Sequence, residues 1–64
     1  MRRPPCGTMV WWRFKAQGPC PWKFGYCTYP PTGHDLVRMG RYNGDTMGGY
    51  VVSASEIEWK AYRS

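Results

Sequence analysis

Apolar and polar residues alternate in short runs, and glycine or proline interrupts nearly every window long enough for a helix. From residue 8 to 15, Val10, Trp12 and Phe14 point one way, and Met9, Trp11, Arg13 and Lys15 the other. Period two with one apolar and one cationic face predicts a half-buried strand. Gln17-Gly18-Pro19-Cys20-Pro21 makes a turn. A second strand over 22–29 sets Trp22, Phe24 and Tyr26 against Lys23, Gly25 and Cys27, with Gly25 marking a bend or a close backbone approach. Pro30-Pro31-Thr32-Gly33-His34 is a loop. A third strand over 35–42 turns Val37 and Met39 inward and Leu36 and Arg38 outward. Asn43-Gly44 predicts a type I′ hairpin turn, in a loop that extends to Gly48-Gly49. The fourth strand is 50–53. Ser53-Ala54-Ser55-Glu56 reads as a helical or 3₁₀ turn with a serine cap. Residues 57–62 form the last strand, with Ile57, Trp59 and Ala61 on one side.

These elements describe an all-β fold, a small five-stranded barrel with one 3₁₀ turn before the last strand. The barrel occupies residues 8–62. Residues 1–7 (MRRPPCG) form a basic, proline-containing arm, flexible or laid on the surface. The predicted core is Val10, Trp12, Phe24, Val37, Met39, Val51 and Ile57, with Trp59 beside it.

Four stretches carry a resemblance: Val10-Trp11-Trp12, the strand start from Trp22 to Gly25, Leu36-Val37-Arg38-Met39, and the ending Val51-Val52-Ser53-Ala54-Ser55-Glu56-Ile57-Glu58-Trp59. On these the chain resembles SH3-like barrels of the Tudor or KOW size class, a fold that hosts several unrelated functions. Residues 22–28 (WKFGYCT) are loosely similar to a strand of the type II dihydrofolate reductases, SH3-like enzymes that assemble as tetramers around a central pore. In that family a Val-Gln-Ile-Tyr motif holds substrate and cofactor. The matching Met47-Gly48-Gly49-Tyr50 keeps only the tyrosine, so the enzymatic role does not carry over.

With 64 residues the chain makes one domain at most, and aromatic residues at 17% suit a small core built from large rings. The net charge of +5 is unevenly spread. Residues 1–34 hold Arg2, Arg3, Arg13, Lys15 and Lys23 with no acid, whereas cations and acids balance in 35–64. Such asymmetry favours an acidic partner, nucleic acid or an acidic protein surface, as well as solubility. An odd count of 3 cysteines argues against a secreted disulfide framework. No signal-peptide or membrane-length apolar run is present. The sequence therefore reads as a reduced, soluble, cytoplasmic protein. Cys6, Cys20, Cys27 and His34 have metal-ligand chemistry but lack the close Cys-x₂₋₄-Cys knuckle, so no metal and no cofactor is expected.

Catalysis is not expected either. His34 sits in a Pro/Gly loop, Ser53 and Ser55 lie at the predicted turn, and no phosphate-binding Gly-Lys-Ser/Thr motif occurs. Binding is better supported. Trp11, Arg13 and Lys15 share a strand face, Lys23 lies on the next strand, and Arg2 and Arg3 add cations from the arm. Cations near exposed rings suit nucleic acid, because phosphates meet Arg and Lys while bases stack on rings. Two other readings stand beside it. One is a small phage- or mobile-element-type protein that binds a host protein through loops bearing Tyr29, His34 and Met47. The other is a Tudor-like aromatic cage built from Tyr26, Tyr29, Tyr42 and Tyr50 with Asp45 as its acid.

Overall fold

The computed structural model describes residues 3–62. Strands β1 (Thr8–Phe14), β2 (Lys23–Thr28), β3 (Leu36–Gly40), β4 (Tyr50–Ser53) and β5 (Ile57–Ala61) form one antiparallel sheet. Its strand order is β4-β3-β2-β1-β5, so β4 and β5 are the edges. The predicted strands are present to within two residues at each end. A 3₁₀ turn at Ala54–Glu56 joins β4 to β5, and a second, unexpected one at Lys15–Gln17 ends β1 before Lys15.

The inner face carries the core: Val10, Trp12, Cys27, Val37, Met39, Val52 and Ile57, with Phe14 and Trp59 packed against it. Phe24 and Val51 do not belong to it, being 48% and 46% exposed. The cause is register. Val10 lies opposite Gly25 and Thr8 opposite Cys27, so β2 turns its glycine and cysteine inward and Phe24 outward. Steric demand explains this choice. A Cβ on Gly25 would lie 2.9 Å from the Trp12 ring and from Met39 Sδ, so the empty place at Gly25 is where the indole packs. The Trp12 indole N–H then donates to the Phe24 carbonyl at 3.3 Å, satisfying its one polar atom. On β4, Val52 pairs with Val37 and Val51 with Arg38, so Val52 is the inward residue of the Val-Val pair.

The β3–β4 connection is not a type I′ turn. That turn needs a positive φ at both central residues, and only Gly44 has one. The loop is organised instead by Asp45, which is buried. Its carboxylate accepts the backbone N–H groups of Arg41 (2.9 Å), Met47 (3.1 Å) and Gly48 (2.8 Å), and Arg41 Nε–H at 3.3 Å. These bonds favour the charged form and hold the Asp45 carboxyl well below the usual carboxylate range.

Asp35 ties the start of β3 to the turn before β5. Its carbonyl accepts the Ala54 N–H at 2.7 Å, and its carboxylate accepts the hydroxyls of Ser53 and Ser55. Those hydroxyl bonds lower the Asp35 pKa. Ser53 therefore makes no side-chain cap to the 3₁₀ turn, contrary to the capping expectation.

Residues 3–7 lie against β2. Pro4 is fully buried, and its carbonyl accepts the Tyr29 hydroxyl at 2.6 Å and the Cys27 thiol at 3.6 Å. Gly7 N–H donates to the Cys27 carbonyl. Burial pushes the Cys27 thiol up to about 11. Among the described residues no helix is long and apolar enough to cross a membrane.

Candidate functional site

Period two in β1 sends Trp11 to the face opposite Trp12, and the register sets Phe24 on one side of it and Lys60 on the other. Trp11 and Phe24 stack with centroids 4.0 Å apart and planes 28° apart. Tyr62 meets both, at 5.6 Å from Trp11 and 5.1 Å from Phe24. The three rings make one patch, with Phe24 48% and Tyr62 36% exposed. Two depressions flank it. One, of about 300 Å³, lies between Phe24, Tyr62 and the β3–β4 loop. The other, about 690 Å³, runs from Arg3 past Met9 and Tyr62 to Lys60. Met9 and Tyr62 line both, but the larger depression is also walled by Val10, Trp59 and Ala61 of the inner face, so it lies around the side of β1 and β5 from the ring patch.

The cations expected to accompany Trp11 take different positions. Arg13 is on the same face but engaged. Its terminal nitrogens reach the Cys20 carbonyl at 3.3 Å and the Glu58 carboxylate at 3.4 Å, and its guanidinium lies 4.1 Å from the Trp22 ring centre. Arg13 is thus a packing residue, and reversing its charge would set a carboxylate against Glu58. Lys15, beyond the strand, donates to the Ser55 carbonyl at 3.2 Å. Lys23 is paired with Trp12, which places it on the inner face at the end of β2, 5.2 Å from the Trp12 ring. Arg3 sits 3.8 Å over the Tyr29 ring and lines the larger depression. Arg2 lies outside the described residues.

The cations that do border the ring patch are Lys60 and Arg41. Lys60 also lies 4.6 Å from the Trp22 ring. Alternation from Ile57 already sends Glu58, Lys60 and Tyr62 outward, so this signal was in the sequence. Phe24 was masked by its apolar character, which suggested the core.

The loop residues separate into two groups. Tyr29 and His34 line one hollow with Arg3 and the two prolines, whereas Met47 stands 88% exposed in the Asp45 loop. The four cage tyrosines have different surroundings: Tyr26 is paired with Met9 and Gly40 in the sheet, Tyr29 lies under Arg3, Tyr42 beside Arg41, and Tyr50 edge-on to Trp12 at 6.2 Å. Asp45 spends its acceptor capacity on its own loop. Cys6 is exposed, Cys20 half-buried and Cys27 buried. No three His, Cys, Asp or Glu side chains converge on one point among the described residues. Set against protein-family models, curated proteins and solved structures, the chain matches none.

Proposed function

We propose that this is a non-enzymatic module that binds single-stranded nucleic acid on the outer face of β2, β1 and β5. The observation that carries the reading is the ring patch Trp11–Phe24–Tyr62 on the outer face, bordered by Lys60 and Arg41. Every base has a π-face, so exposed rings bind bases with little regard to sequence, while flanking cations track the phosphates. Glu58, which shares this face on β5, is paired with Arg13, and Asp45 is paired with Arg41. The sheet is further read as a partly open SH3-like barrel. Its strand order and the 3₁₀ turn between β4 and β5 support that reading, as does the Asp35 link holding this turn to β3.

Fluorescence anisotropy with a labelled mixed-sequence single strand tests the function. Binding at low salt that weakens steeply as salt rises is expected. Phe24→Ala and Tyr62→Ala should each weaken it about 5- to 150-fold, the equivalent of ~1–3 kcal/mol per stacked base. Lys60→Glu should flatten the salt dependence. No binding of DNA or RNA at low salt defeats the reading.

The exposed Met47, with Tyr50 and Val51 on the β4 edge, favours a second reading, a protein partner docked on that edge. Such binding would respond little to salt and would be lost in Met47→Asp.

A further inference from the structure

The smaller depression beside the ring patch has polar groups as well as rings. Its lining is Met9, Phe24, Arg41, Tyr42, Asn43 and Tyr62, and no carboxylate is among them. Phe24 and Tyr62 meet at 67°, so a flat ligand stacks on one ring and touches the edge of the other. Tyr42 stands exposed on the far side.

Arg41 is exposed but tethered at one point, with its Nε and one terminal nitrogen beside Gly48. Its Nε–H donates to Asp45 Oδ2 at 3.3 Å, and its backbone N–H donates to the same oxygen at 2.9 Å. Asp45 is itself buried and fixed by two further backbone donors. The bond at Nε holds one corner of the guanidinium plane, and the Tyr42 ring lies 5.9 Å from its carbon. With Nε engaged, the two terminal nitrogens at the other end of the planar guanidinium are the paired donors left for a ligand. Two adjacent donors match an edge with two adjacent acceptors. Guanine has that edge in O6 and N7, whereas adenine has an amino donor in place of O6. Asn43, on the same rim, brings an amide oxygen that can accept from guanine's N–H groups.

Resting on the single-strand reading, we propose that this depression is a base-selective subsite for guanine, stacked on Phe24 or Tyr62 and read by Arg41 and Asn43. Asp45 acts through Arg41 as a positioning residue.

The test uses the full chain and an oligothymidine that carries at one central position guanine, adenine, cytosine or an abasic sugar. Guanine should bind about 5- to 100-fold more tightly than adenine at that position. Arg41→Lys keeps the charge but loses the planar fork, and should reduce this preference to less than about twofold. Asn43→Ala should reduce it in part, with thermal melting confirming that both variants fold. Equal affinity for all three bases overturns the subsite while leaving the stacking reading intact. An abasic strand that binds as tightly as the guanine strand also overturns it, because the contact is then to phosphate. Absence of binding to every strand defeats both readings together.

Discussion

Trp11 and Trp12 are neighbours in the chain and opposites in the fold. Trp12 is 1% exposed, lies over Gly25, and closes the core with its N–H bonded to the Phe24 carbonyl. Trp11 is half-buried, stacks on the Phe24 ring, and belongs to a surface patch. The two indoles have the same chemistry. What separates them is what each meets on its own face of β2: Trp12, paired with Lys23, packs over Gly25 two residues further along, which leaves room, whereas Trp11 lies opposite Phe24, which offers a second ring. The inner face therefore spends its large side chain on stability, and the outer face keeps three rings partly in solvent.

The sharpest way to break this contrast is at the inner face. Trp12→Ala should cost about 3–5 kcal/mol by chemical denaturation, against a total of roughly 5–15 kcal/mol for a typical native protein. Gly25→Val should be comparably damaging, because the added carbons collide with the Trp12 ring. Trp11→Ala should cost less than half as much as Trp12→Ala, since its ring is already partly hydrated. Equal losses at the two tryptophans would mean that the faces do not differ as described.

Asp45 extends the comparison to the loop. Asp45→Ala removes the acceptor of four N–H groups and should lower the melting midpoint more than Asp35→Ala, whose partners are exposed hydroxyls. Both carboxyls titrate below their unfolded values, so each stabilises the fold at neutral pH. That contribution is lost as pH falls below the ordinary aspartate range and through the folded value. A melting midpoint in Asp45→Ala that depends on acid as strongly as in the parent would contradict the assignment.

At Cys27 the sign is opposite. Burial raises this thiol to about 11, so the unfolded chain releases the proton first. Stability should fall as pH rises above the ordinary thiol value and level off near about 11. Cys27→Ala should remove that part of the alkaline loss, measured as the difference between the two pH profiles.

Strand positions and the all-β class were legible because period-two alternation and Gly/Pro punctuation act locally. Parity was legible where only one alternative was apolar, as for Val37 and Met39 against Arg38. It failed at Phe24, where the inward place belongs to a glycine, and at Val51-Val52, where both parities are apolar. The Asp45 loop was hidden for a different reason. Asn43-Gly44 is a strong local turn signal, and the competing carboxylate network spans Arg41 to Gly48. At the site, Trp11 was correctly read as outward, but its companions were chosen by charge along the chain. Register instead brings Phe24 and Lys60 to its sides, and Arg13 is drawn into Glu58 and Trp22.

The most direct test of the central contrast is the indole N–H spectrum of ¹⁵N-labelled protein titrated with a short single strand at low salt. The 4 tryptophans give separate probes of the two faces. The Trp11 signal should shift or broaden as the strand is added, accompanied by Phe24 and Lys60 backbone amides, while the Trp12 signal stays in place. A titration that leaves Trp11 unmoved, or that confines its shifts to Met47 and the β4 edge, would contradict the account.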